Sequence, residues 1–267
     1  MYPAERHTAI LAAARAQPQG VEVQQLSSVL GVTPETVRRD LAALERRGLV
    51  RRRHGGAVIT EKPPYEPTLS QRTGEDATER RAVALAVVRE LPDEGVLLLD
   101  SGSMTLEIAS VLPARSALVV VTNSLPVAGL LGGHPSITVL ALPGTVRPVT
   151  QAVVGAWTEA RLDELHADVA VLGANGVLPG RGAYTTLPDE AAVKERMLAA
   201  ADRRLLAVTA PKFGTASLCR FATLDRFDRI VSDDRLDPAT ADALRDDGVD
   251  LELARTAPDP TTPRGTP

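Results

Sequence analysis

Residues 30–58 read LGVTPETVRRDLAALERRGLVRRRHGGAV, and this stretch decides the fold of the amino-terminal part of the chain. Thr33 suits the N-cap of a helix, and Val37, Leu41 and Leu44 recur at the spacing of one buried helical face. Two short extended runs then flank a basic, glycine-containing centre, which is the pattern of a β-hairpin. The stretch therefore predicts a capped helix followed by a hairpin, or wing.

Two further helices precede this segment. Apolar residues recur at helical spacing from about residue 5 to 17 and from about 23 to 30, and a short turn around Gly31 leads into the helix predicted over 34–47. Helix, short turn and helix is the arrangement of a helix-turn-helix, whose second helix reads the major groove. Arg38 and Arg39 lie on the polar side of that helix, and arginine can donate two hydrogen bonds to guanine.

The distribution of charge supports a nucleic-acid partner. The chain of 267 residues has a net charge of −4, but residues 1–60 hold nine arginines, no lysine and five acidic residues. The net charge is therefore +4 for residues 1–60, here called the head, and −8 for the remainder, the body. A basic head on an acidic body predicts that the head contacts phosphates and the body does not.

Composition excludes several other classes of protein. A single cysteine, Cys219, rules out a disulfide framework, and no His/Cys spacing indicates a metal site. Neither a membrane-spanning apolar run nor a secretion signal is apparent. We expect a soluble, cytoplasmic protein with no metal and no cofactor.

After a Pro-rich stretch at 59–75, interpreted as a linker, apolar strands alternate with helical patterns. Helices are predicted at about 77–91, 104–112, 125–132, 152–165, 189–201 and 238–247. Strands are predicted at Val96–Asp100, Leu118–Thr122, Ile137–Leu142, Asp168–Gly173, Leu205–Thr209, Arg229–Ser232 and Asp250–Leu253. Continuous apolar strands indicate a mainly parallel sheet covered on both faces. The predicted domains are thus a winged helix-turn-helix at 1–58 and an α/β domain at 76–255, with a disordered tail at 256–267.

Four of these strands end in small polar residues. Asp100-Ser101-Gly102-Ser103 follows the first strand, and backbone N–H groups at such a turn into a helix suit a phosphate or carboxylate. Ligands of open α/β sheets bind outside the carboxyl ends of the strands. The chain has only three lysines, of which Lys194 and Lys212 fall in this domain, and an ammonium group suits a phosphate. The pattern predicts a polyhydroxylated, anionic ligand.

Residues 5–58 resemble the winged helix-turn-helix of the DeoR family of bacterial transcription regulators, through the TVRRDL core and the basic HGGA wing. The resemblance implies that Thr36, Arg38 and Arg39 read DNA, whereas Asp40 ties the helix to the rest of the motif. The residues predicted to contact DNA are Thr33, Glu35, Thr36, Arg38, Arg39, Arg51, Arg52, Arg53 and His54.

Residues 76–253 resemble the sensor domain of the same family, through LLLDSGSMT, VVTNSLPVA, DVAVLGANGV, YTTLPDEAAVKERM and PKFG. That domain is similar in fold to ribose-5-phosphate isomerase, and its usual ligand is a phosphorylated sugar. The predicted effector-binding residues are Asp100, Ser101, Gly102, Ser103, Thr105, Asn123, Gly144, Asn175, Gly176, Lys194 and Lys212. Ser103 and Met104 stand where the family commonly has threonine. The subgroup that the chain most resembles is the fructose-operon repressors.

These observations predict a repressor of a sugar operon that binds operator DNA, responds to a phosphorylated sugar and forms a dimer or tetramer. Two alternatives stay open. A sugar-phosphate isomerase would need a placed carboxylate or histidine, and Asp100, Asp189 and Glu190 are the available acids. An architectural DNA-binding protein would need no ligand.

Overall fold

A computed structural model of the chain describes residues 3–17, 20–46, 50–53, 55–59, 68–74, 76–113 and 117–256. The chain divides into two compact units, Met1–Pro67 and Thr68–Pro267. Within the described ranges, every helix is too short or too polar to cross a bilayer.

The first unit is the predicted winged helix-turn-helix. Its elements are α1 Pro3–Ala16, β1 Val21–Glu22, α2 Val23–Leu30, α3 Pro34–Arg46, β2 Val50–Arg53 and β3 Gly56–Ile59. The strand β3 pairs antiparallel with β2 and with β1, so β3 is the middle strand of a small three-stranded sheet and the hairpin of β2 and β3 is the wing. Ile10 of α1, Leu26 of α2, and Val37 and Leu44 of α3 are buried together in one core.

The turn between α2 and α3 is formed by local hydrogen bonds. Gly31 ends α2 in the left-handed conformation, at φ 64°, which glycine adopts without steric cost. The Ser27 hydroxyl donates to the Val32 carbonyl at 2.6 Å, and the Thr36 amide donates to Thr33 Oγ1 at 3.2 Å. The predicted N-cap at Thr33 is confirmed.

Asp40 holds α3 against α1. Its carboxylate accepts from Arg6 Nε at 2.8 Å and lies 3.2 Å from His7 Nε2. Burial raises the pKa of Asp40, but the hydrogen bond and charge of Arg6 and the contact with His7 outweigh this, so the pKa lies below its ordinary value. The structural role predicted for Asp40 is confirmed.

The second unit is an α/β domain built around a seven-stranded sheet, and all seven predicted strands belong to it. Its helices are α4 Leu69–Thr73, α5 Ala77–Arg89, α6 Ser103–Ser110, α7 Leu125–Leu131, α8 Ala156–Leu162, α9 Pro188–Ala199 and α10 Pro238–Asp246. Its strands are β4 Glu94–Leu99, β5 Ala117–Thr122, β6 Thr138–Ala141, β7 Thr145–Val146, β8 Val153–Val154, β9 Ala167–Leu172, β10 Gly176–Leu178, β11 Gly182–Thr185, β12 Ala201–Ala207, β13 Cys219–Ala222, β14 Arg229–Asp233 and β15 Leu251–Ala254.

The large sheet has the order β15-β14-β12-β9-β4-β5-β6, and every pairing in it is parallel. The chain builds outward from β4 through β5 to β6, and then returns to place β9 on the other side of β4. The strand order therefore reverses between β4 and β9, which is where open sheets of this type bind ligands. Helices α5, α6 and α7 pack on one face, whereas α8, α9 and α10 pack on the other.

Two sequence predictions differ from the structure. The helix predicted over 152–165 begins only at Ala156, because residues 153–154 form β8 and pair with β7. The predicted linker at 59–75 includes Leu69–Thr73, which form α4 in the second unit. Leu69 is buried and its amide donates to the Val149 carbonyl at 3.2 Å, and one buried apolar residue produces no periodic pattern. Apart from Thr256, the predicted tail lies outside the described residues.

Candidate functional site

Helix α3 presents a polar surface opposite its buried stripe. Arg38 and Arg39 are exposed, whereas Val37, which precedes them in the sequence, is fully buried in the core. Arg38 Nη1 lies 3.3 Å from a carboxylate oxygen of Glu35, and both side chains are more than half exposed. An exposed ion pair of this kind is weak, so Arg38 can exchange it for another acceptor at little cost. Thr36 is half-buried beside the Thr33 cap.

The wing pairs Arg51 with Val58, Arg52 with Ala57 and Arg53 with Gly56. Arg53 is exposed. The side chains of Arg51 and Arg52, and the whole of His54, lie outside what the structure describes. The backbone therefore forms the basic hairpin that the sequence predicts.

A cleft opens at the carboxyl ends of β4, β9 and β12, beside the point where the strand order reverses. Its lining combines four cationic side chains with two carboxylates and several hydroxyl and amide groups. The lining residues are Arg72, Asp76, Arg80, Ser101, Gly102, Ser103, Met104, Thr150, Gly173, Ala174, Asn175, Glu190, Lys194, Ala207, Val208, Thr209 and Lys212. Polar groups from three strand ends and four helices thus meet at one place.

The amino-terminal end of α6 contributes backbone donors to this cleft. Gly102 is the N-cap residue and has φ 126°, in a region that glycine favours. No side chain caps this end of the helix, since Gly102 has none to offer. The first-turn N–H groups have no intrahelical partners, and together with the helix dipole they favour an anion.

Lys194 lies at the base of the cleft on α9. Its Nζ contacts a carboxylate oxygen of Asp100 and donates to the Gly173 carbonyl at 2.9 Å. Asp100 also accepts from the Gly173 amide at 3.2 Å. Both charged side chains are buried, and Lys194 Nζ stands 5.2 Å from the centre of the Phe221 ring. The ion pair joins the ends of β4 and β9, directly beneath the lining residues Ser101 and Ala174.

Glu190 is the second buried charge at the cleft. Its carboxylate contacts Arg147 and accepts from the Thr185 hydroxyl at 2.8 Å. Burial raises the pKa of Glu190, but the charges of Lys194 and Arg147 and the hydrogen bonds outweigh it, so the pKa lies below its ordinary value. Glu190 is therefore held on the cleft wall by ion pairs and hydrogen bonds to its carboxylate.

Arg80 connects the cleft to α4. Its guanidinium donates to the Arg72 carbonyl at 2.7 Å and to the Thr73 carbonyl at 3.2 Å, although the side chain is buried and also lines the cleft. Arg72, on α4 itself, is a lining residue as well. One buried cation thus contacts both the last turn of α4 and the space where a ligand would lie.

The structure brings six of the eleven predicted effector residues into the cleft lining, namely Ser101, Gly102, Ser103, Asn175, Lys194 and Lys212. Asp100 is not a lining residue, but its carboxylate contacts the ammonium group of the lining residue Lys194. Thr105 is fully buried and donates to the Gly102 carbonyl at 3.1 Å within the first turn of α6.

The other three predicted residues have packing roles. Asn123 is buried and donates to the Val153 carbonyl at 3.2 Å. Gly144 packs against Thr158 and Val154, and Gly176 packs against Thr215 so closely that a Cβ would meet its backbone. None of the three belongs to the cleft lining. Asn123 and Gly144 follow β5 and β6, which lie beyond β4 from the point where the strand order reverses.

The sequence prediction missed Arg72, Arg80, Thr150, Glu190 and Thr209 as lining residues. One signal was available for Arg80, which occupies the same buried face of α5 as Val83, Ala84 and Val87. A charged residue on an apolar helical stripe needs a buried partner or a ligand.

Comparison with known proteins gives concordant matches for both units. A family model described as the DeoR-like helix-turn-helix domain matches residues 6–63, and one described as the DeoR C terminal sensor domain matches residues 75–234. The chain is 34% identical over 249 residues to the HTH-type transcriptional regulator GlpR of Haloferax volcanii, covering 93% of this chain and 97% of the relative. It is 32% identical to a putative aga operon transcriptional repressor of Escherichia coli O157:H7, covering 90% of each chain.

Among solved structures, ribose 5 phosphate isomerase A from Neisseria gonorrhoeae resembles this chain with a TM-score of 0.38 and 15% identity. The match covers 52% of this chain and 54% of that one. Nothing about activity follows from a likeness this low.

Proposed function

The chain belongs to the DeoR family of transcriptional regulators, and from that premise we propose that it represses a sugar operon and is released from operator DNA by a phosphorylated sugar. The first unit binds the operator, and the second unit binds the sugar in the cleft between the ends of β4, β9 and β12. The observation that carries the proposal is the cluster of four cations beside the uncapped start of α6.

Operator binding uses α3 and the wing. Arg38 and Arg39 are exposed on the polar face of α3, where arginine can donate two hydrogen bonds to the edge of a guanine. Arg53 of the wing contacts phosphates, which position the protein without reading sequence. Repeated half-sites are then read by paired heads, which requires association of at least two chains.

The chemistry of the cleft favours a dianion that carries hydroxyl groups. Both lining carboxylates are already engaged, since Asp76 lies 3.0 Å from Arg235 and Glu190 contacts Arg147. The lysines and the α6 amides suit a phosphate, whereas Ser101, Ser103 and Asn175 offer donors and acceptors to hydroxyl groups. A phosphorylated sugar has both features, and its unphosphorylated counterpart lacks the first.

Release of DNA requires that the sugar prefer one arrangement of the protein over the other. Arg80 supplies a route, because its guanidinium now donates to carbonyl oxygens of α4, and α4 begins two residues after the last residue of the first unit. A phosphate in the cleft competes with these carbonyls for the same guanidinium. Binding of the sugar thereby loosens α4 and alters the connection to the DNA-binding unit.

A thermal-shift panel tests the ligand class. Phosphorylated sugars are compared at equal concentration with their unphosphorylated counterparts, because a ligand that binds the folded state raises the melting temperature by mass action. We expect a shift from at least one phosphosugar and none from its counterpart. Equal shifts from both members of every pair would contradict the proposed role of the cations. Conversion of a bound aldose phosphate into the ketose phosphate would instead favour an enzyme.

A further inference from the structure

Residues 116–158 form the least charged part of the chain. Charged residues make up 24% of the whole sequence, so 43 residues at that frequency would contain about ten, yet this stretch contains one, Arg147. Arg147 is itself paired with the buried Glu190. We propose that the surface formed by these residues, here named the uncharged edge, is where a second copy of this chain docks.

The uncharged edge is one end of the large sheet. It comprises α7, β6, the hairpin of β7 and β8, and the start of α8, and β6 is the last strand of the sheet order. Within the described residues, no strand pairs with the outer side of β6. An open strand edge is normally protected from other chains by charged side chains, and β6 carries none.

The opposite end of the sheet shows the usual protection. The last strand there, β15, carries Glu252, which lies 3.4 Å from Arg89 and 3.5 Å from Arg229. The neighbouring helix α10 carries Asp242 and Asp246. The two ends of the sheet therefore differ in their protection against edge-to-edge association. Of the two edge strands, β15 carries a charged residue and β6 does not.

Large apolar side chains are exposed along the uncharged edge. Leu125 and Leu130 of α7 are 42% and 49% exposed, Leu140 of β6 is 47% exposed, and Trp157 of α8 is 77% exposed. Leu140 pairs in register with Val121, which belongs to the sheet core, so an apolar face continues from the core out to solvent. Exposed apolar side chains that include an aromatic residue are typical of protein interfaces.

The distribution of charge favours a second copy of this chain as the partner that docks on the uncharged edge. The chain outside residues 1–60 has a net charge of −8, so two copies repel each other through most of their surface. The uncharged edge is the part at which two copies can approach without that repulsion, and an apolar, neutral surface is complementary to itself. In a twofold arrangement each residue of this surface meets the same surface of the other copy. This inference gives a location to the chain association that the proposed function requires.

Trp157 provides a direct readout, because it is the only tryptophan in the chain. We expect the full-length protein to sediment as a dimer or larger species. Its tryptophan emission should shift to longer wavelength on dilution, as Trp157 becomes exposed to water. Leu140→Lys places a charge on both sides of a twofold interface and should raise the dissociation constant about tenfold or more. Leu218→Lys is the matched control, because Leu218 is 76% exposed and lies outside the uncharged edge.

Three outcomes would overturn the inference: a monomeric full-length chain, association of Leu140→Lys equal to that of Leu218→Lys, or association that appears only after removal of residues 257–267. The last would show that the chain's own terminus covers the surface. If Leu140→Lys fails to fold, Trp157→Glu replaces it, since an exposed side chain on α8 tolerates the change. The phosphosugar thermal shift is also measured on the monomeric variant. A preserved shift shows that the ligand site is intact, so a failure of the interface can be told apart from a failure of the proposed function.

Discussion

Lys194 and Asp100 form a buried ion pair that joins α9 to the end of β4, with the Lys194 ammonium also bonded to the Gly173 carbonyl at 2.9 Å. This pair holds the floor of the cleft at the point where the strand order reverses. Lys194 therefore has a structural task in addition to any contact with a ligand. A variant of Lys194 tests the stability of the domain first and ligand binding second.

Lys194→Ala should lower the free energy of unfolding by about 3–5 kcal/mol, because it leaves the Asp100 carboxylate buried without its partner. Denaturant unfolding monitored by circular dichroism measures this. Lys212→Ala is the matched control and should lower stability less than Lys194→Ala, since Lys212 is only half-buried on a short turn. Equal stabilities for the two variants would show that the Asp100 pair does not support the fold.

Lys212→Ala should instead weaken binding of a phosphosugar by about 1.5–3 kcal/mol, the contribution of a hydrogen bond to a charged group. Isothermal titration of wild type and variant with the same ligand gives the difference. The unphosphorylated sugar should show no such difference. Unchanged affinity for the phosphosugar would remove Lys212 from the site.

Arg39→Ala should cost about 1–3 kcal/mol of discrimination between operator and random DNA, because base contacts carry the specificity. Arg53→Ala should weaken binding to both sequences alike and reduce the slope of log affinity against log salt by about 0.9. Mobility shifts over a salt series distinguish the two effects. Equal losses on both DNAs from Arg39→Ala would mean that α3 does not read bases.

The contacts of Asp40 predict that the stability of the first unit depends on pH. Its pKa in the folded chain lies below the ordinary value, so the Arg6 and His7 contacts stabilise the fold at neutral pH and lose their contribution as the pH falls through the folded pKa. Wild type should exceed Asp40→Asn in unfolding free energy at pH 7, and the difference should shrink towards pH 3. A constant difference across that range would contradict the pKa of Asp40 as its cause.

Sequence patterns predicted most of the fold because its strands are long apolar runs, such as Leu97–Leu99 in β4 and Val119–Val121 in β5. The two-residue strands β7 and β8 gave no such pattern, since Val153 and Val154 continue into apolar residues of α8. Gly155, at φ 101°, separates strand from helix, and a glycine alone does not reveal which conformation it adopts.

The site was predicted less completely than the fold, for a topological reason. Polar strand ends at Asn123 and Gly144 look like those at Asp100 and Asn175, but sequence alone does not give the strand order. Only the order β12-β9-β4 shows which ends converge. Arg72 and Arg80 come from helices that the strand-end pattern does not include, although Arg80 stands out as a charge on an apolar helical face.

The most direct test of the central claim is the affinity of the full-length chain for its operator, measured with and without the phosphosugar that gives the largest thermal shift. We expect the phosphosugar to weaken operator binding at least about fivefold, the lower range of coupling between linked sites, and its unphosphorylated counterpart to have no effect. An operator affinity that stays the same at saturating phosphosugar would contradict control of DNA binding through this cleft.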